Sequence, residues 1–122
     1  MVTNLFEVQV RSGQGMPVIE LKGDINSSAE ESLNLAFNHA SESKPAAMLL
    51  SFKDVTYMNS TGIALIVGLL AQARKRKIEL RAAGLSEHYR HIFTITRLSD
   101  FMNIYEDEAS ATADAGASGP QG

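Results

Sequence analysis

Cysteine is absent from the 122 residues of this chain, so it can form no disulfide, thiolate nucleophile or cysteine-ligated metal centre. Long hydrophobic runs are missing as well, since no stretch approaches the ~20 apolar residues that span a bilayer. The first residues have neither the basic flank nor the apolar core of a secretory signal. We therefore expect a cytoplasmic protein that does not contact the membrane.

An excess of positive charge is also missing. Eleven Lys and Arg stand against fourteen Asp and Glu, which gives a net charge of -3. A protein that binds nucleic acid by neutralising phosphates needs the opposite balance. The sequence contains no phosphate-binding glycine loop, nucleophile elbow or dinucleotide fingerprint. These absences predict a protein that is not an enzyme, binds no nucleic acid and needs no cofactor.

The hydrophobic content of 44% suits one domain with one core, because two domains in this length would each be too small. The composition changes near residue 113, after which Ala, Gly, Ser and Asp predominate. Such a segment cannot bury enough apolar surface to offset its ordering entropy. We predict one domain over residues 1–112 and a disordered tail over residues 113–122.

Hydrophobic periodicity predicts how the elements follow one another. Phe6, Val8 and Val10 alternate with polar residues before a glycine-rich turn, and an apolar run returns at 18–21, which is typical of a β-hairpin. A capping box, Ser27 with Glu30 or Ser28 with Glu31, then predicts a helix. Its predicted buried face consists of Ala29, Leu33, Ala36, Phe37 and Ala40.

Strands and helices alternate over the rest of the chain. The predicted elements are a strand over 46–52, a helix from Ser60 to about Arg76, a strand over 77–82, a helix opened by Ser86, a strand over 103–105 and a short acidic helix. This order predicts an α/β fold with a mixed sheet of about five strands and about four helices.

The chain is organised around the segment from Tyr57 to Gly62, which joins the 46–52 strand to the long apolar helix. Asn59 and Ser60 are both candidate caps, because either side chain can accept from the unpaired N–H groups of the first turn. Gly62 would let other chains approach this turn closely. A phosphate on Ser60 would be stabilised by the same N–H groups and by the helix dipole.

The run from Asp54 to Leu65, DVTYMNSTGIAL, resembles the signature of the STAS domain, the family of bacterial anti-sigma-factor antagonists. Residues 21–25 are similar to an early region of that family, and residues 84–86 and 96–101 resemble its last third. The resemblance covers about residues 5–112 and implies a STAS-like fold. One departure is Asn59, which stands where the family pattern has Asp.

The resemblance implies a function and a site. Ser60 matches the serine that a partner kinase phosphorylates in the family. The unphosphorylated protein would bind an anti-sigma factor with serine/threonine kinase activity and so release a sigma factor. Phosphorylation would end this binding, and a serine phosphatase would reverse it. The expected partner-binding residues are Asp24, Tyr57, Met58, Asn59, Ser60, Thr61 and Gly62.

Each of these residues also has a simpler structural interpretation. Ser60 could act only as a helix cap, and Asp24 could only help to end a strand. Tyr57 and Met58 could be core residues beneath the turn, or a binding hot spot if they are exposed.

Two other functions also remain open. The chain could be a non-phosphorylated STAS scaffold, or an accessory subunit of a transporter, stress-signalling or response-regulator complex. It could also be a ligand sensor with a small pocket near the turn.

Two further clusters are interpreted as structural. Residues 74–77, RKRK, form the densest charge run, and we interpret it as a solvated helix end rather than a ligand patch. His88 and His91 lie three apart on a predicted helix, but two imidazoles without a third ligand do not make a metal site. We predict no bound metal.

Overall fold

The predicted hairpin opens the fold. In the computed structural model, which describes residues 5–113, β1 (Glu7–Gly13) pairs antiparallel with β2 (Met16–Ile25). Gln14 and Gly15 connect the two strands, both with positive φ. Of the predicted tail, Ala113 ends the last helix, and residues 114–122 lie outside the described residues.

Helices and strands alternate after the hairpin, as the sequence predicts. The elements are α1 (Glu30–Ser41), β3 (Ala47–Met58), α2 (Ser60–Lys75), β4 (Glu79–Ala83), α3 (Glu87–Ile95), β5 (Asn103–Tyr105) and α4 (Glu108–Ala113). One-turn 3-10 helices lie at Ser27–Ala29 and Leu98–Asp100. The strand order is β1-β2-β3-β4-β5, and every pair except β1-β2 is parallel. The mixed five-stranded sheet with four helices is confirmed.

One face of the sheet is covered by the three longest helices. The predicted face of the first helix is fully correct, since all five of its residues are buried. They pack in the same cluster as Leu69 of α2, Phe93 of α3 and Leu50 of β3. None of the helices within residues 5–113 is both long and apolar enough to cross a bilayer.

The opposite face of the sheet carries a smaller cluster, in which Ala111 of α4 packs on Val18, Leu49 and Ala83. A buried arginine also holds α4 in this position. Arg81, 2% exposed, donates from Nη1 to the Ala111 carbonyl at 2.6 Å. The α4 helix is therefore held against this face of the sheet by both apolar and polar contacts.

An ion pair also reaches α4 from the first strand, where Arg11 donates to the carboxylates of Glu108 and Glu20. The Arg11 hydrogen bond lowers the pKa of Glu108 below its ordinary value, although partial burial opposes the shift. This pair links the N-terminal hairpin to the last helix of the described chain.

The third strand is longer than predicted, because it continues to Met58 instead of ending near residue 52. Its register with β2 shifts by one residue after Ser51 and again after Val55. Each extra residue turns the following side chains to the other face of the sheet. Phe52, Val55 and Met58 therefore all contact the core although they lie three apart. Because of this spacing, residues 53–58 do not show the strict alternation of apolar and polar side chains that predicts a strand.

The predicted capping box before the first helix is wrong. Asn26 is the cap instead, and its Oδ1 accepts from the N–H of Ser28 at 3.0 Å and from the Ser28 hydroxyl at 2.6 Å. The Asn26 side chain opens a 3-10 turn, and α1 continues from that turn at Glu30 without a side-chain cap of its own. An Asn one residue earlier thus replaces both serine candidates.

Candidate functional site

Two strand ends and two asparagine caps form the edge of the sheet at the predicted turn. Ile25 of β2 pairs with Met58 of β3, and each strand then leads directly into a helical turn. Asn59 is the cap of α2, and its Oδ1 accepts from the Gly62 N–H at 2.8 Å. Asn26 caps the adjacent 3-10 turn, although its Oδ1 accepts from Ser28, two residues later. Of the two candidate caps in the sequence, Asn59 has that role.

Ser60 is therefore the first residue of α2, with its hydroxyl left free of capping. Its side chain is exposed, as is that of Thr61. The first N–H groups of the helix have no partner within the helix, and the dipole places positive potential there. No charged residue occurs in α2 before Arg74. The positive end of the helix would therefore stabilise a phosphate on Ser60. No cationic side chain in the first turns of α2 would neutralise its charge.

Gly62 allows two segments of the same chain to pack closely at the turn. A Cβ at Gly62 would lie 2.0 Å from the carbonyl oxygen and 2.7 Å from the carbonyl carbon of Ile25. Gly62 is buried, and β2 of the same chain makes the close approach. The absence of a side chain lets α2 start against the end of β2. The expected part of Gly62 in partner binding stays a prediction.

Tyr57 and Met58 lie on opposite faces of β3, and their roles differ accordingly. Tyr57 is 55% exposed and presents a large aromatic surface three residues before the exposed Ser60. Met58 is 3% exposed and packs in the core, and its expected part in partner binding stays a prediction. Of the two residues that could have been core residues beneath the turn, only Met58 is buried there.

Asp24 belongs to the same edge of the sheet. It pairs in register with Tyr57 and is half-buried. Its Oδ1 accepts a hydrogen bond of 2.6 Å from the Thr56 hydroxyl. Asp24, Tyr57 and the Asn59–Gly62 segment are thus brought together by the β2-β3 pairing, although 33 positions separate Asp24 from Tyr57 in the register.

Tyr89 of α3 holds this turn from beneath, although no sequence motif marks the residue. Its buried hydroxyl accepts from the Met58 N–H at 2.8 Å and donates to the Met58 carbonyl at 3.2 Å. Strand β4 pairs with β3 only as far as Ser51, so Tyr89 supplies the partner that a neighbouring strand would otherwise provide. The aromatic residue on the apolar face of α3 was the only signal available.

The histidine pair and a small ligand pocket are the two other possible sites. His88 stacks edge-on against Tyr89 with ring centroids 4.8 Å apart. Within residues 5–113, no group of three or more His, Cys, Asp or Glu side chains is arranged to hold a metal ion. Four surface cavities among the described residues contain no lining residue from the range 57–62. A ligand pocket near the turn therefore has no support from these cavities.

The parallel core sheet with its antiparallel first strand, and a serine turn capped by Asn59 at its edge, define a class of small α/β domains. Residues 7–111 match the STAS domain model, and the chain belongs to the STAS family. An anti-sigma-B factor antagonist of Listeria monocytogenes is 40% identical over 55 residues, which cover 45% of this chain and 48% of that protein. The chain spans about half the length of the curated relatives it matches.

Solved structures show the same fold at low sequence identity. An anti-sigma factor antagonist from Mycobacterium paratuberculosis has a TM-score of 0.74 and 17% identity, covering 92% of this chain and 95% of that one. The anti-sigma factor antagonist SpoIIAA in its unphosphorylated form has a TM-score of 0.68 and 16% identity, covering 93% and 98%. At these identities the likeness supports the fold alone.

Proposed function

We propose that this protein is a non-enzymatic anti-sigma-factor antagonist whose partner binding is switched off by phosphorylation of Ser60. The unphosphorylated form binds an anti-sigma factor with serine/threonine kinase activity and releases a sigma factor. A serine phosphatase reverses the modification. The observation that carries the proposal is the exposed Ser60 hydroxyl at the first position of a helix whose cap is already supplied by Asn59.

The departure at Asn59 is compatible with this switch. An Asp at this position would cap the helix through the same oxygen that Asn59 uses for Gly62, so the amide preserves the turn. What the amide removes is a negative charge beside the phosphate. Phosphoserine therefore meets less repulsion from its neighbour here than it would beside an aspartate.

The size of the switch follows from the charge that is added. A phosphate brings about -1.5 to -2 charges to the surface formed by Tyr57, Ser60 and Thr61, where α2 has no cationic side chain before Arg74. Placing this charge in a tight interface without a cation should cost at least ~2 to 3 kcal/mol, which weakens binding by roughly 30- to 150-fold.

The test uses the cognate kinase, labelled ATP and three variants. Ser60→Ala should abolish incorporation of label, whereas Thr61→Ala, the matched control one residue away, should retain it. Calorimetric titration should then give Ser60→Ala the Kd of the parent protein and Ser60→Asp a Kd weakened in the direction of the phosphorylated form. Ser60→Ala should stay folded, because Asn59 and not Ser60 is the cap.

Two results would overturn the proposal. If the label persists in Ser60→Ala and disappears in Thr61→Ala, the phosphorylated residue is Thr61 and not Ser60. Equal affinity of Ser60→Asp and Ser60→Ala for the partner, with both variants folded by circular dichroism, would show that charge at this position does not control binding. The second result would favour a STAS scaffold or accessory subunit.

A further inference from the structure

A surface cavity lies at the other end of the parallel strands, away from the serine turn. The connection from α1 to β3 and the connection from α2 to β4 together enclose a cavity of about 490 Å³. Its lining residues are Ser41, Lys44, Pro45, Ala46, Arg76, Lys77 and Ile78. The volume lies within the range of about 300 to 1,000 Å³ that is typical of small-molecule pockets.

The charge of this cavity is unusual for the protein. Lys44, Arg76 and Lys77 line it and no acidic side chain does, although the whole chain has a net charge of -3. Among the described residues, neither lysine lies within ion-pair distance of a carboxylate. Three cations that face a common space without counter-charges repel one another, and an anion would relieve that repulsion.

Arg76 is held in position by neighbouring side chains. Its Nη2 donates to Asn38 Oδ1 at 3.1 Å, and its guanidinium carbon lies 5.2 Å from the centre of the Phe37 ring. These contacts limit the motion of the guanidinium group, which is suited to paired hydrogen bonds with phosphate oxygens.

Both lysines occupy backbone positions that normally favour glycine or asparagine. Lys44 has φ of 51° and Lys77 has φ of 59°, in the left-handed region. Lys77 follows the C-cap of α2, and the N–H of Ile78 donates to the Ala73 carbonyl at 2.8 Å, as in a Schellman motif. Glycine is the usual residue at such a position, because lysine is strained there.

The helix dipole alone does not account for these lysines. The last turn of α2 already carries Arg74 and Lys75, which lie at the favourable end of the dipole and do not line the cavity. Lys44 comes from a different connection, 33 positions before Lys77, and faces the same space. The charge run at 74–77 is thus divided, with two residues complementing the helix end and two joining Lys44 at the cavity.

We propose that this cavity binds a small organic phosphate. The phosphate would lie among Lys44, Arg76 and Lys77, and the apolar body of the ligand would pack on Pro45, Ala46 and Ile78. A phosphate fits better than a single carboxylate, because its greater charge matches three cations and its oxygens can accept from several donors at once.

The test is an amide NMR titration at constant ionic strength with phenyl phosphate, which combines a phosphate with an apolar body. The amide signals of residues 41–44, 46 and 76–78 should shift along one saturable curve. Benzoate, a monoanion with the same ring, should bind at least about 10-fold more weakly, since it has less charge. Inorganic phosphate should also bind more weakly than phenyl phosphate if the apolar wall contributes.

Two double variants separate the site from general charge. The double variant Lys44→Asn with Lys77→Asn should bind phenyl phosphate at least about 10-fold more weakly than the parent protein. Its melting temperature should equal or exceed that of the parent, because asparagine tolerates positive φ and the repulsion between the lysines is relieved. Arg74→Gln with Lys75→Gln removes the same charge outside the lining and should retain binding.

The proposal fails if the control pair weakens binding as much as the lysine pair, or if the shifts spread over other cationic surfaces. Equal affinity for benzoate and phenyl phosphate would overturn the assignment of phosphate. A lysine double variant that binds normally, or that melts several degrees lower, would show that the two lysines have a structural role instead.

Discussion

Two glycines of the same helix should respond in opposite ways to substitution by alanine. Gly62 lies in the first turn of α2, where a Cβ would come within 2.0 Å of the Ile25 carbonyl oxygen. Gly68 lies six residues later on the exposed side, where a Cβ would have nothing within 4 Å. The pair therefore isolates the close approach of β2 from the general effect of a methyl group on the helix.

The magnitudes follow from this geometry. Gly68→Ala should stabilise the protein by about 0.5 to 1 kcal/mol, because alanine restricts the unfolded chain and favours the helix. Gly62→Ala gains no more than this and adds an overlap with backbone atoms, which cannot rotate away as the end of a side chain could. Overpacking of this kind costs about 1 to 3 kcal/mol or more. We expect a net loss of about 2 kcal/mol for Gly62→Ala.

Urea denaturation and thermal melting of both variants would measure the difference. The free energies of unfolding should differ by about 3 kcal/mol, which for a domain of this size separates the melting temperatures by on the order of 10 °C. If Gly62→Ala proved as stable as Gly68→Ala, the packing of the serine turn on the end of β2 would be wrong. If Ser60 is phosphorylated as we propose, the reaction should also slow in Gly62→Ala, because the backbone must move away from the overlap and so displaces the turn.

Tyr89→Phe should destabilise the protein by about 1 to 3 kcal/mol and speed amide exchange at Met58, because both backbone groups of Met58 lose their buried partner. Urea denaturation and NMR exchange would measure this, and unchanged exchange at Met58 would contradict it. Glu108→Gln should lower the free energy of unfolding by about 0.2 to 1 kcal/mol near neutral pH. The reason is that Arg11 lowers the pKa of Glu108, so the ionised carboxylate stabilises the fold at pH values above 4.5, the ordinary pKa of this group. This difference should disappear as the pH falls through the lowered pKa, and a constant difference from pH 7 to about pH 3 would refute the assigned role of the pair.

The sequence was sufficient for features that depend on local periodicity. The buried face of α1, the hairpin and the strand at Asn103–Tyr105 lie where the pattern predicts them, because burial on one face imposes a helical or alternating spacing. The motif around Ser60 indicated the family, which the match over residues 7–111 establishes. The asparagine caps were harder to predict, since Asn, Ser and Thr all suit the position and only the backbone geometry selects one.

Other features were decided only when distant segments met. The two bulges in β3 arise from its pairing with β2, and they bury Met58 while leaving Tyr57 exposed, which no periodicity within β3 could indicate. Gly62 is required because the end of β2 occupies the space of a Cβ, and Tyr89 reaches Met58 across 31 positions of sequence. Local residue order sets the spacing of apolar side chains, but contact between segments far apart in the chain exists only in the folded molecule.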